Sequence, residues 1–395
     1  MAEFAIRRLT SEDREASFKL GSLTFGYHAQ PMPDHFDPAK PGWVSYGAFD
    51  PEGRLVAKAV DREQGQWFGG RVVPTSGVAG VAVVPDKRRK GLGRLVLTRL
   101  LQEARERGAA ISTLFPTTPF PYRRLGWEEV GALTYFALPA SALAGVRPDP
   151  RVELRPATLG DFSAISGLYR EVAAAGTGLM ERSGPLFTTG DDMIGHFDGV
   201  TVATDTTGAV VGYASWDRGP GYDASGKLTV YDLIGSTGGA TATLLAMIAG
   251  WASVAPNIVL RLPDQDPAFL HLASMGTRVE SRQPWMARMV DAQAAVSARG
   301  WPPHLSGRVD LELGDEICSW NEGRFVLELS GGEGKLSAGG EGTLRLEARG
   351  MALWYSGAAT PASLRRAGLL SGPAGDDAFL QAATAGPAPA LLDYF

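Results

Sequence analysis

Apolar and polar positions alternate along the chain in signals that recur. Ile6-Arg7-Arg8-Leu9 reads as a short strand, Thr10 or Ser11 then offers a cap, and an amphipathic helix runs through Phe18 and Leu20. Leu154-Arg155-Pro156-Ala157-Thr158-Leu159-Gly160-Asp161 returns Arg, Thr and Asp at the spacing of Arg7, Thr10 and Asp13, and another apolar helix follows through Ile165 and Leu168. Asp50-Pro51-Glu52-Gly53 and Asp205-Thr206-Thr207-Gly208 signal hairpins, and the strand after each is read as ending in Asp-Arg, at Asp61-Arg62 and Asp217-Arg218. Such self-similarity predicts two copies of one α/β unit.

The copies differ after their later strands. The first follows Val78 to Val84 with Pro85-Asp86-Lys87-Arg88-Arg89-Lys90-Gly91-Leu92-Gly93 and a helix from Arg94 to about Arg107, whose apolar face is Leu92, Val96, Leu100 and Ala104. The second has Gly235-Ser236-Thr237-Gly238-Gly239, with no basic residue. From Leu233 to Leu260 no side chain is charged, a run long enough for a membrane span. Its glycines, Pro256 and Asn257 instead predict a turn, a buried helix and a strand from Asn257 to Leu262.

Leu138 to Pro150 and Ser297 to Pro303 read as linkers. Beyond them, Gly307 to Leu313, Arg324 to Leu329 and Gly342 to Glu347 alternate as strands of a sheet with one wet face. Thr360-Pro361 caps a helix that stops at Gly368, and the apolar end Leu391-Leu392-Asp393-Tyr394-Phe395 predicts a docked terminus.

Composition narrows the picture. The 395 residues exceed one compact core, so two or three domains are expected. A net charge of −5 speaks against a nucleic-acid binder. Cys318 is the single cysteine, which excludes an internal disulfide and a cysteine metal cluster. His28, His35, His196, His271 and His304 lack metal-ligand spacing, so no metal is expected. The opening residues lack the apolar stretch of a signal peptide, and a cytoplasmic, non-membrane protein is expected.

The basic turn is the strongest candidate for chemistry. It lies at a helix N-terminus, where free N–H groups and the helix dipole favour an anion, and Gly91 and Gly93 let a pyrophosphate approach the backbone. A Rossmann fingerprint would need a third glycine at Val96, and a P-loop would need Gly-Lys-Ser or Gly-Lys-Thr. A solvated basic patch is the plain alternative.

Arg88-x-x-Gly91-x-Gly93 between strand and helix resembles the coenzyme A pyrophosphate loop of the GNAT superfamily of N-acetyltransferases. Tyr122-Arg123-Arg124-Leu125-Gly126-Trp127, after the strand Ile111 to Phe115, is similar to the element that closes the GNAT fold. The whole plan resembles the Eis (enhanced intracellular survival) family, in which an active GNAT unit, a degenerate one and a module similar to sterol carrier proteins follow one another. Leu353-Trp354-Tyr355-Ser356-Gly357 and the Thr360 helix look like that module. The resemblance implies an α/β (α+β) fold with mixed central sheets flanked by helices: a catalytic domain at 1–145, a degenerate domain without a cofactor loop at 150–295, and a sheet-and-helix domain at 300–395 delivering the terminal carboxylate.

The same resemblance implies acetyl-CoA as cosubstrate, held by Val81, Ala82 and Val83, by Arg88, Arg89, Lys90, Gly91, Leu92, Gly93 and Arg94, and by Thr117. It further implies Tyr122 as general acid and the α-carboxylate of Phe395 as general base, acting on a small cationic amine, typically an aminoglycoside, in a wide, negatively lined pocket of a homohexamer. An amine must shed a proton before it attacks, and a departing thiolate must gain one, so a carboxylate and a phenol suit the two tasks. A protein lysine or another small amine is the alternative acceptor, and a lipid carrier with a vestigial transferase is the alternative function. Trp43, Phe25, Phe36 and Tyr27 either line a substrate channel or fill the core. Asp34 and Asp37 either meet the amine or are solvated loop acids.

Overall fold

The computed structural model describes residues 4–27, 30–187, 194–272 and 276–395. The first unit begins with β1 (Ala5–Arg8) and α1 (Arg14–Phe25), followed by β2 (Trp43–Phe49), β3 (Leu55–Phe68) and β4 (Arg71–Val83). Next come α2 (Leu92–Glu106), β5 (Ile111–Leu114), α3 (Pro119–Arg123) and β6 (Glu128–Pro139). The second unit repeats the plan with β7 (Glu153–Pro156), α4 (Phe162–Ala175), β8 (Gly199–Thr204), β9 (Val210–Arg218), β10 (Lys227–Gly235), α5 (Gly238–Ala249), β11 (Asn257–Arg261) and β12 (Arg278–Met289).

The repeated Arg, Thr and Asp have a structural cause. Thr10 and Thr158 each form a capping box with the Asp three residues on. Arg7 and Arg155 then pair with those same carboxylates, Asp13 and Asp161, at 2.7 Å in each copy. One local device thus starts both units.

The units do not sit side by side as separate sheets. Their twelve strands make one sheet in the order β1-β2-β3-β4-β5-β12-β6-β11-β10-β9-β8-β7. Strand β12 lies antiparallel between β5 and β6, and β6 pairs with β11, so each unit is completed by the other's last strand.

Some sequence expectations change. Strand β3 runs beyond Asp61-Arg62 to Phe68, because a tight turn at Gly69-Gly70, both at positive φ, folds it onto β4. The stretch Leu138 to Pro150 is no exposed linker: Leu138, Ala140, Ala142, Leu143 and Val146 are buried in the second unit's core. The charge-free stretch after Leu233 resolves into α5, with Leu244, Leu245 and Ile248 fully buried, and β11. Among the described residues no helix is long and apolar enough to cross a membrane.

The third domain follows α6 (Ala292–Ala298) and holds β13 (Gly307–Gly314), β14 (Gly323–Ser330), β15 (Glu333–Ala338), β16 (Leu344–Glu347) and the two-residue β17 (Leu370–Ser371), ordered β15-β14-β13-β16-β17. Helices α7 (Ala348–Tyr355), α8 (Pro361–Arg366) and α9 (Asp377–Ala383) complete it. Its core is continuous with the first sheet: Trp354, Tyr355 and Trp301 share one apolar cluster with Phe68 and Trp285. The buried pair Arg288–Asp315, at 2.6 Å, and the bond from Arg349 to Glu128 tie it on further.

Candidate active site

Strands β4 and β5 run parallel only from Thr75↔Ile111 to Val78↔Leu114. Beyond that point β5 ends while β4 continues through Val81, Ala82 and Val83, so the two part as a fork. A bulge in the β3–β4 pairing between Lys58 and Val60 accompanies the parting, with Gly80 at φ +57°. The edge of β4 therefore presents backbone groups that β5 does not use.

The basic turn closes the open end of the fork. Gly91, at φ +77°, is the N-cap of α2 and has no side chain with which to cap it, so the N–H groups of Leu92, Gly93 and Arg94 face outward. Arg89 stands at φ +65°, the single non-glycine residue at positive φ among the described residues. A Cβ added to Gly91 would meet nothing within 4 Å, so the space in front of the turn is open. Arg88 donates to the Val83 carbonyl at 3.3 Å and links the turn to the strand end, while Arg89 and Lys90 are exposed. An open helix N-terminus flanked by cations fits a pyrophosphate, and an unpaired strand edge fits an amide-bearing arm. Thr117 lies exposed in the loop that follows β5.

Tyr122, in α3, is partly buried against Trp127, with ring centroids 6.2 Å apart. Burial pushes its phenol up to about 12, so it keeps its proton across the neutral range. The hydroxyl has no hydrogen-bond partner among the described residues.

The chain terminus arrives from the far end of the sequence. Phe115, one residue past β5, is stacked by Tyr394 at 4.5 Å and met edge-on by Phe395 at 5.2 Å. The tail runs over β6 and α4: Ala390 N–H donates to Thr177 and Leu391 N–H to Ala132, and Leu391 and Leu392 are buried. It passes so close to β6 that a Cβ on Gly131 would collide with the Pro389 carbonyl. Among the described residues the terminal carboxylate forms no ion pair, and Phe395 lines a cavity of about 270 Å³ together with Arg62, Gln64, Arg261 and Asp393.

A buried charge network anchors this tail. Arg182 holds Asp232 at 2.5 and 3.0 Å and Asp393 at 3.1 Å. Tyr213 donates to Asp232 at 3.0 Å, and Arg261 reaches the same carboxylate at 3.3 Å. Burial pushes the Asp232 carboxyl up, but the charges of Arg182 and Arg261 and their hydrogen bonds outweigh it and leave it below the usual range. The sequence marked none of these residues, since Asp393 and its partners are far apart in the chain.

In the second unit the matching positions are filled by the chain itself. At its fork, beyond the last pair Val230↔Leu260, Arg261 donates to the Tyr231 carbonyl at 3.0 Å. Thr237 caps α5 with its side chain, and Asp149 packs against Gly239 in the first turn.

The remaining candidates divide. Trp43 does not line the cavity but packs beside it through Arg62, 5.6 Å from its ring, with Lys40 at 3.9 Å. Phe18, Tyr27 and Phe36 form an aromatic cluster, and Phe25 stacks on Tyr27 while remaining about half exposed. Asp37 is engaged by Ser11 and its own loop, Asp34 is exposed, and neither lines the cavity. The described lining has two arginines beside Asp393 and the terminus, where the resemblance implied a negative wall. His35, His196 and His304 are exposed, and His28 lies outside the described residues. Among the described residues no cluster of His, Cys, Asp and Glu is placed to hold a metal ion.

Known proteins share this construction. Acetyltransferase (GNAT) domain families match residues 5–130 and 178–289, and a sterol carrier protein domain family matches 292–391. An uncharacterised N-acetyltransferase of Streptomyces avermitilis is 27% identical over 286 residues, 68% of this chain and 67% of that one. The structure of a GCN5-related N-acetyltransferase from Kribbella flavida superposes with a TM-score of 0.86 at 28% identity, covering 100% of this chain and 99% of the other. With two acetyltransferase (GNAT) domains, the chain belongs to the GNAT N-acetyltransferases, whose domains use acetyl-CoA. It also shares its fold with Eis1 from Mycobacterium abscessus over 100% of both chains, with a TM-score of 0.79 at 21% identity.

Proposed function

We propose that the protein acetylates primary amines by direct attack, with the α-carboxylate of Phe395 as base and Tyr122 as acid. Acetyl-CoA, when bound, supplies an acetyl group activated as a thioester. The β4 edge from Val81 to Val83, the turn from Arg88 to Arg94 and Thr117 are the residues that would hold it. The observation that supports the reading is the seat of Phe395 and Tyr394 on Phe115, which brings the chain's last residues beside the end of β5. There the carboxylate orients an ammonium and accepts its proton, while the Tyr122 hydroxyl, protonated up to about pH 12, supplies one to the departing sulfur.

The resemblance to Eis proteins extends the reading to aminoglycosides acetylated at more than one amine, and to a cytoplasmic hexamer. The cavity favours a second reading, a small amine, because about 270 Å³ is at the small end of ligand pockets. Acetyl-CoA-dependent thiol release with kanamycin, neomycin, spermidine, lysine, a histone peptide and no acceptor tests both. Release with no amine at all, in protein that binds CoA, would overturn the proposal.

A further inference from the structure

Arg62 enters the catalytic cavity from β3, and Gln64, two residues along the same face, enters beside it. Among the described residues Arg62 makes no hydrogen bond and no ion pair, and its Nε is buried without a partner. Gln64 Oε1 and the Nε1 of neighbouring Trp43 are orphaned in the same way. Buried polar atoms are nearly always satisfied, and a shielded guanidinium without a counter-charge is costly, so two orphans on the cavity wall and a third on the ring that Arg62 overlies need an explanation. The two other arginines nearby are committed: Arg182 to Asp232 and Asp393, Arg261 to Asp232 and the Tyr231 carbonyl. Gln64 lies over Gly77, where a Cβ would come within 2.5 Å of its amide oxygen, and its amide nitrogen donates to the Thr113 hydroxyl at 3.5 Å. Lys40, also over the Trp43 ring, adds positive charge rather than a partner.

Among the described residues, then, the cavity is lined by a chain terminus without an ion-pair partner, at Phe395, and by a guanidinium without one, at Arg62. We infer that the acceptor is a zwitterionic amine: its ammonium lies at the terminal carboxylate, and an anionic group on the same small molecule forms a forked pair with Arg62. This rests on the reading of Phe395 as base. Arginine's planar fork suits a carboxylate, phosphate or sulfonate equally in kind, and a cavity of about 270 Å³ has room for a molecule of roughly amino-acid size.

The test compares amines that differ only in the anion. Lysine is set against 1,5-diaminopentane, and 6-aminohexanoate, phosphoethanolamine and taurine distinguish carboxylate from phosphate and sulfonate. Turnover is followed by thiol release, and binding by calorimetry in the presence of CoA. The expected result is a kcat/KM for lysine at least tenfold above that for 1,5-diaminopentane. Arg62→Gln should collapse that ratio toward one, and Arg62→Lys should restore part of it. Equal use of the diamine and the amino acid, a ratio that survives Arg62→Gln, or no binding of any anionic amine would overturn the inference. Turnover of diamines or aminoglycosides without discrimination would leave the acetyltransferase reading standing, whereas CoA binding without turnover of any amine would overturn that reading as well.

Discussion

Replacing Asp393 by Asn removes a charge from the tail anchor while keeping its shape. Burial of Leu391, Leu392 and Phe395 contributes roughly 5–9 kcal/mol, and the two backbone hydrogen bonds of the tail about 1 kcal/mol each. Ordering the last six residues costs about 6–12 kcal/mol. These terms nearly cancel, so the charged bonds from Arg182 to Asp393, worth about 1.5–3 kcal/mol, decide whether the tail stays docked. The ratio of docked to free tail should fall by roughly tenfold to 150-fold. Carboxypeptidase release of Phe395, followed by mass spectrometry, reads docking directly, and steady-state thiol release reads its consequence. Faster release and a kcat reduced about twofold are expected, because docked and free tails then become nearly equal in population, with the KM for acetyl-CoA within about twofold. Asp393→Glu should recover part of both. A variant with wild-type tail protection and wild-type kcat would refute the argument that this network holds the base.

Other outcomes follow from the same geometry. Tyr122→Phe should lower kcat by about a hundredfold while leaving thermal stability nearly unchanged, since the hydroxyl bonds to no described residue. Gly91→Ala forces a side chain into φ +77°, costing about 1–2 kcal/mol, and should weaken acetyl-CoA binding in a titration. Arg89→Ala should weaken that binding by about tenfold at low salt and by less at high salt, as screening predicts. Lys58 is buried against Ser17, and burial pushes it down to about 8. The unfolded chain therefore binds the extra proton between pH 8 and about 10.4, so this residue's contribution to stability rises with pH through that window. Lys58→Met should stabilise the fold at pH 7 by about 2–3 kcal/mol, and the gain should shrink by pH 9.5 in melting curves.

What the sequence disclosed was local in its physics. Thr10-x-x-Asp13 and Thr158-x-x-Asp161 write their own capping boxes, and Arg88 to Gly93 can be read because strand, turn and helix are consecutive. The exchange of β6 and β12 was hidden because only pairing across well over a hundred residues decides which unit each completes. Strand β15 was missed since Gly334 and Ser337 interrupt its apolar alternation. In the site, Phe395 could be placed only by resemblance. Arg62 had shown itself only as half of an Asp-Arg strand end, and the anchor joining Arg182, Asp232 and Asp393 leaves no mark on neighbouring residues.

The central claim, that the chain's own terminal carboxylate is the base, is tested most directly by extending the chain past Phe395. A variant with two added glycines keeps every internal residue but moves the carboxylate away from Phe115. Thiol release with an accepted amine should fall by at least a hundredfold, while acetyl-CoA binding measured by calorimetry stays intact. Full turnover by the extended chain would contradict the account.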